Sequence, residues 1–194
     1  MPDVKKAELI EGVVCLPSPV SHDGHGAPHA DLITWLGVYK ASTPGVQVSD
    51  NATVRLDGDN EPQPDALLRI IPQRGGQTRD EAGYIANAPE WVGEVAASSV
   101  SYDLYDKKEA YRRKGVREYL VWRVEDRAID WFVLRGGNYE RLKAGEDGIY
   151  RSEIFPGLWL DANALLDGDM RQVLDMLNAG LQSAEHAAFT VSLT

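Results

Sequence analysis

Three short apolar segments, 66–71, 91–97 and 118–124, are each bounded by Gly, Pro or Ser, and a charged stretch separates the last two. This pattern constrains the fold more than any other feature of the chain. Apolar runs of that length, bounded by such residues, read as buried strands. The stretch 103–114 opens with Asp103 and Asp106, closes with Arg112, Arg113 and Lys114, and meets Gly115. Acids first, bases last and a glycine stop are the marks of a helix whose dipole is complemented at both ends. Strand, helix, strand predicts a βαβ unit at the centre of an α/β (α+β) domain.

The flanks add to it. Residues 8–16 form two apolar runs around Gly12 and predict an N-terminal β-hairpin, followed by a loop at 17–19. Pro28 stands where a first helical residue belongs, with Leu32, Trp35, Leu36 and Tyr39 at helical spacing behind it and Pro44-Gly45 as the stop. Partial alternation over 46–56 predicts one or two strands. A second hairpin is expected from 128–134 and 139–142 around Arg135-Gly136-Gly137-Asn138, and an edge strand at 157–160. Leu165, Leu166, Val173, Leu174, Leu177 and Leu181 predict terminal helices over one sheet face, and 183–194 reads as a loosely held tail. A length of 194 residues with 43% hydrophobic residues suits one domain over 1–182.

Composition excludes several functions. One cysteine, Cys15, allows neither an internal disulfide nor a cysteine zinc site, which fits a reducing, cytoplasmic setting. Residues 1–11 lack the apolar core of a secretory signal, and no run approaches the roughly 18 apolar residues of a membrane span. Thirty acids against twenty bases, a net charge of −10, argue against a strong grip on phosphates. Arg112, Arg113, Lys114 and Arg117 form the one dense basic cluster, the expected nucleic-acid contact. No G-x-G-x-x-G or Walker A sequence is present, and 57–61 lacks the spacing of a calcium loop.

Glu94 asks most for an explanation, because a carboxylate inside an apolar strand is costly unless paired, hydrogen-bonded or bound to a cation. Asp65, opening the neighbouring apolar strand after Pro64, would face it. With the Val95 carbonyl the two acids offer the hard oxygen donors that Mg²⁺ or Mn²⁺ takes. The plainer reading, in which Glu94 pairs with a base and Asp65 shapes a turn, stands level with it. Lys107 falls one turn after Asp103, with Tyr111 and Lys114 along roughly the same face. It either reaches toward the acids or forms a solvated pair with Asp103, and the residues alone favour the latter. His22, His25 and His29 have the look of a zinc series, but Gly24, Gly26 and Pro28 interrupt a helix that would carry them.

Taken in order, Glu8-Leu9-Ile10-Glu11-Gly12, Pro64-Asp65, Gly93-Glu94-Val95-Ala96-Ala97-Ser98-Ser99, Asp103-Leu104 through Lys107 to Tyr111, and Gly115-Val116-Arg117-Glu118-Tyr119 resemble the Uma family. Its members are restriction-endonuclease-like proteins of the PD-(D/E)XK nuclease superfamily, and the similarity runs from about Glu8 to Leu166. The resemblance implies a mixed central sheet flanked by helices and a divalent-metal endonuclease site. Asp65 and Glu94 would be its metal ligands. The superfamily's E-x-K lysine would stand at 96, where this chain has Ala96, so the resemblance gives the basic role to Lys107. Glu11 or Glu8 would add a carboxylate, and His29 matches a helix position that often carries His. The implied partners are DNA, with RNA left open, and no membrane. Binding would be weak unless a homodimer or another partner adds positive surface. Two other classes compete: a non-catalytic binding or regulatory module on the same fold, favoured by the acid excess and Ala96, and, well behind, a zinc hydrolase on the histidine loop.

Overall fold

The three apolar segments lie side by side in the computed structural model, which describes residues 7–16, 19–97 and 99–193. In chain order, β1 (Glu8–Ile10) and β2 (Val13–Cys15) form the N-terminal hairpin, and a π-type turn (His22–Gly26) runs into α1 (Ala27–Ser42). Next come β3 (Val46–Asp50), β4 (Val54–Arg55), β5 (Ala66–Ile70), β6 (Arg79–Glu81), β7 (Tyr84–Ala86) and β8 (Trp91–Ala96). One helical stretch follows in three parts: α2 (Val100–Tyr102), a second π turn (Asp103–Lys107) and α3 (Lys108–Lys114). Gly115 ends it at φ 87°, a left-handed conformation in which glycine carries no Cβ penalty. The chain continues through β9 (Glu118–Arg123), β10 (Ala128–Arg135), β11 (Asn138–Arg141), β12 (Ile149–Arg151) and β13 (Trp159–Asp161), then α4 (Ala162–Leu166), α5 (Met170–Leu181) and α6 (Ala184–Ser192).

The central sheet has six strands in the order β11-β10-β9-β8-β5-β3. Only β8 and β9 run parallel, joined across α2 and α3 as the predicted βαβ unit, so the sheet is mixed. Helices flank both faces. On one, Leu32, Trp35, Leu36 and Tyr39 of α1 and Val173 and Leu177 of α5 pack on Trp91, Val95, Leu120 and Trp131. Trp35, Trp91 and Trp131 meet edge to face with ring centres 6.1–6.2 Å apart. On the other, Tyr111 of α3 and Val54, Leu56 and Ile85 of the β4 and β7 region cover Val92, Ala96, Tyr119 and Val121.

Several local expectations are corrected. The strand near 157–160 pairs with β12 in a separate two-stranded sheet and does not extend the central one. Residues 183–193, read as a loose tail, form α6 and its cap, because His186 is buried against Thr43 Oγ1 at 2.9 Å and Leu193 is buried. The glycines around His25 do not interrupt the helix, since the π turn leads directly into α1. Readings that rest on residues 1–6, on Pro17-Ser18, on Ser98 and on Thr194 fall outside the described residues.

Gly93 is in β8 because the Trp91 ring lies across it: a Cβ there would meet the indole at 2.5 Å and Leu32 at 3.3 Å. Gly93→Ala is therefore expected to cost about 1–3 kcal/mol, as overpacking does, measured by urea denaturation. An unchanged midpoint would contradict this packing. Glu118, buried in β9, ties the segment before β13 to the sheet by accepting from Ser152 Oγ at 2.7 Å and from the Glu153 and Ile154 N–H groups at 2.7 and 3.2 Å. Burial pushes its carboxyl up from 4.5 to about 7, against the downward pull of those hydrogen bonds. The native state keeps a proton that the unfolded chain has lost, so this contribution to stability falls as pH rises from 4.5 to about 7. Glu118→Gln should flatten that slope between about pH 5 and about pH 7.5, and an identical slope would refute the assignment.

Candidate active site

β5 and β8 are antiparallel with Ala66 opposite Gly93, so one step outward Asp65 stands opposite Glu94, and directly opposed residues share a face of the sheet. Asp65 is held at both oxygens. Oδ2 accepts the Val95 N–H at 2.8 Å, and Oδ1 accepts from His25 Nε2 at 3.1 Å. Burial pushes this carboxyl up, but the hydrogen bonds from His25 and Val95, with the nearby positive charge of Lys107, hold it below the ordinary carboxylate range.

Glu94, 2% exposed, accepts at Oε1 from Lys107 Nζ at 3.1 Å and from Tyr111 OH at 2.9 Å. The Lys107 ammonium, itself buried, also lies 3.0 Å from Glu8 Oε1 and 3.7 Å from Asp103 Oδ1. Residues at successive i+4 positions drift by about 40° per step around an α-helix. The wider π turn over Asp103–Lys107 takes up that drift and keeps Asp103, Lys107 and Tyr111 on the sheet-facing side. Each acid around the ammonium has a second anchor: Gln63 N–H donates to Glu8 at 2.8 Å and Ser99 Oγ to Asp103 at 2.5 Å, while Tyr111 serves Glu94.

Charge in the cluster is unbalanced. Burial works to discharge Lys107, but Glu94, Glu8 and Asp103 hold its pKa well above the usual lysine range. Glu94 moves well above the usual glutamate range: burial raises it, Lys107 opposes, and Asp65, Asp103 and Glu8 raise it further. Asp103 is raised by burial too. Three acids thus surround one ammonium, with Asp65 a fourth in the same cluster, and the surplus is the kind that a proton or a cation relieves.

These groups line a cleft of about 500 Å³, with Cys15 and Leu16 of the hairpin end and Tyr102 along its wall. Tyr102 OH donates to Cys15 Sγ at 3.1 Å. Asp65, Glu94, Val95 and Lys107 all face the cleft, and Tyr111 sits behind Glu94. Lys107 is buried, not the solvated partner of Asp103 that the residues alone favoured. Of the two N-terminal acids, Glu8 is in the cluster, whereas Glu11 is half-exposed and pairs with Arg113. His29 contacts the Asp65 carbonyl oxygen at 2.7 Å and Asp50 at 3.2 Å, so it braces the backbone of the site, while His25 touches the carboxylate. His22 is exposed beside Asp23, and the histidines do not converge as a zinc set.

The basic cluster is not free beside the cleft. Arg112 binds Glu109 and the Gly137 carbonyl oxygen, Arg113 pairs with Glu11, Lys114 with Asp57, and Arg117 donates to Gln77 at 3.1 Å. None of the four lines the cleft. Sequence reasoning weighed His25 only as part of a zinc series and missed its contact with Asp65, and it missed the burial of Asp103. The i,i+4 spacing of His25 and His29 was the available signal for the first, masked by Gly26 and Pro28 between them.

As metal donors, the Asp65 and Glu94 carboxylates and the Val95 carbonyl are hard oxygens. Among the described residues no group of three or more His, Cys, Asp or Glu is spaced to hold a metal ion. That leaves no closed zinc cage among the described residues, and both Asp65 oxygens and Glu94 Oε1 are engaged by protein donors. Removing the ammonium should expose the charge imbalance: Lys107→Met is expected to cost about 3–5 kcal/mol near neutral pH. Because the stranded acids then titrate at higher pH, part of the loss should return on acidification, and denaturation at two pH values checks both. A loss that does not depend on pH would contradict the account.

A search among curated proteins finds no match. Among solved structures, the chain is similar to the crystal structure of "a putative nuclease belonging to DUF820" from Anabaena variabilis ATCC 29413, with a TM-score of 0.56 and 14% identity over 88% of this chain and 90% of that one. At that identity the likeness speaks to the fold. The model of the Uma2 family, described as "Putative restriction endonuclease", matches residues 1–163, which include the hairpin, both strand acids and the helix lysine. The chain belongs to the Uma2 family.

Proposed function

We propose that the protein is a Mg²⁺- or Mn²⁺-dependent endonuclease that hydrolyses nucleic-acid phosphodiesters, with DNA the expected substrate and RNA open. The observation that supports this most is that Asp65, Glu94 and Lys107, from two strands and a helix, share one cleft in a chain of this family. Asp65, Glu94 and the Val95 carbonyl would hold the cation, which when bound acidifies water and neutralises phosphate charge. In the hydrolysis a water oxygen bonds to phosphorus and gives up a proton, the bond from phosphorus to the leaving oxygen breaks, and that oxygen takes up a proton. Lys107, kept charged by its neighbours, would orient the water or stabilise charge growing on the phosphate oxygens. The Val95 N–H and Tyr111 OH fix the two acids so that little reorganisation is left for the reaction.

A non-catalytic binding module is the second reading, and the paired state of Arg112, Arg113 and Lys114 favours it, since these bases have little charge to spare for phosphates. A homodimer would bring a second copy's surface to the substrate. The single cysteine keeps a cytoplasmic setting within the proposal, and no helix among the described residues is long and apolar enough to cross a membrane.

Purified protein incubated with mixed DNA and RNA in Mn²⁺ should cut at least one of them, with Asp65→Asn and Glu94→Gln falling to background while remaining folded. Calorimetry should show a Mn²⁺ heat that both substitutions abolish. Cleavage that survives both changes would remove this site, and neither cleavage nor a Mn²⁺ heat in the wild type would leave the binding module as the better reading.

A further inference from the structure

We propose that Glu8, on the N-terminal hairpin, is the positioning residue that keeps the Lys107 ammonium in the cleft when Glu94 is occupied elsewhere. The inference rests on the nuclease reading for its purpose, but its geometry stands apart from it. Three carboxylates surround Lys107 Nζ, and they are not equivalent. Glu94, at 3.1 Å, is one of the two acids that a cation would claim. Asp103, at 3.7 Å, is beyond hydrogen-bond range and is turned toward Ser99 Oγ at 2.5 Å. Glu8, at 3.0 Å, is among the described residues the closest ion-pair partner of the ammonium, and it does not belong to the proposed metal pair.

Glu8 is also built to stay where it is. Its Oε1 accepts the Gln63 N–H at 2.8 Å, and β1 is tied to the same segment by Leu9 N–H to the Glu61 carbonyl oxygen at 3.2 Å and Glu61 N–H to the Leu9 carbonyl oxygen at 2.8 Å. Gln63 lies two residues before Asp65, so one short segment sets both the acid that would hold the cation and the acid that holds the lysine. The side chain of Glu8 is 8% exposed, so little water competes for the ammonium. A lysine has four rotatable side-chain bonds, and one freed from Glu94 with no second acceptor would lose its fixed place. Glu8 removes that freedom. The hairpin thereby becomes part of the working site, although it lies outside the central sheet and contributes neither of the proposed metal ligands.

The Lys107 ammonium can be followed directly, because a buried, hydrogen-bonded NH₃⁺ exchanges slowly enough to give a ¹H–¹⁵N signal, assigned by its loss in Lys107→Met. In metal-free protein, Glu94→Gln withdraws the Glu94 charge without any cation. The signal should persist in Glu94→Gln and vanish in the double variant Glu8→Gln/Glu94→Gln. Glu8→Asp/Glu94→Gln, which keeps the charge and shortens the reach, should be intermediate and serves if the first double variant fails to fold. In the wild-type background, Glu8→Gln should lower kcat for Mn²⁺-supported cleavage about 10- to 100-fold, with KM and the Mn²⁺ dissociation constant little changed. A signal as strong in either double variant as in Glu94→Gln alone would overturn the proposal, as would a Mn²⁺ affinity that falls in step with kcat, which would make Glu8 a metal ligand. If the wild type cuts nothing, the nuclease reading fails, and the ammonium signal still decides the role of Glu8.

Discussion

The contact of the Lys107 ammonium with Glu94 and Glu8 joins three elements that meet at the cleft: the hairpin, the central strand β8 and the helical stretch that crosses from β8 to β9. Burying one cation among several acids is a poor way to gain stability, since desolvation of each charge opposes the attraction between them. Under the proposed function such a cluster serves as a site and not as a brace. The sheet, its two packed faces and the edge-to-face tryptophans supply the rigidity that lets β8 carry an ionisable group at its centre.

Much of the fold was legible because it depends on local rules. Apolar runs bounded by turn residues became β5, β8 and β9, and the acid-first, base-last stretch ending at Gly115 became the crossover helix. Asp65 and Glu94 could be singled out because a carboxylate on an apolar strand has few uses. Glu8 could be named as a candidate from resemblance, but its contact with Lys107 joins residues far apart in the chain, and no spacing rule reports that. The π turns were invisible for a related reason: each depends on how the helix seats against the sheet, and both lie beside the cleft, one carrying His25 and the other Asp103 and Lys107. The tail was misread because its helix depends on His186 reaching Thr43, a contact with a distant segment.

The acid excess, net −10, divides into two populations. Glu8, Asp65, Glu94 and Asp103 lie in the cleft around the single Lys107 ammonium. Others, among them Glu11, Asp57 and Glu109, neutralise the cluster of bases that would otherwise grip a phosphate backbone. Non-specific attraction to nucleic acid is therefore weak by construction, and under the proposed function a substrate would be held by the metal, by the shape of the cleft or by a partner's surface. Ala96 belongs to the same economy of space: it shares the sheet face of Glu94, and the helix packed on that face brings in Lys107 from above.

The central claim is that Asp65 and Glu94 form one cation site with Lys107 beside it. Anomalous diffraction from a crystal soaked in Mn²⁺ tests it most directly. The account predicts a peak within about 2.0–2.5 Å of carboxylate oxygens from both residues, with Lys107 still in contact with Glu8. A protein that takes up Mn²⁺ elsewhere, or not at all, with Glu94 still bound to Lys107, would contradict it.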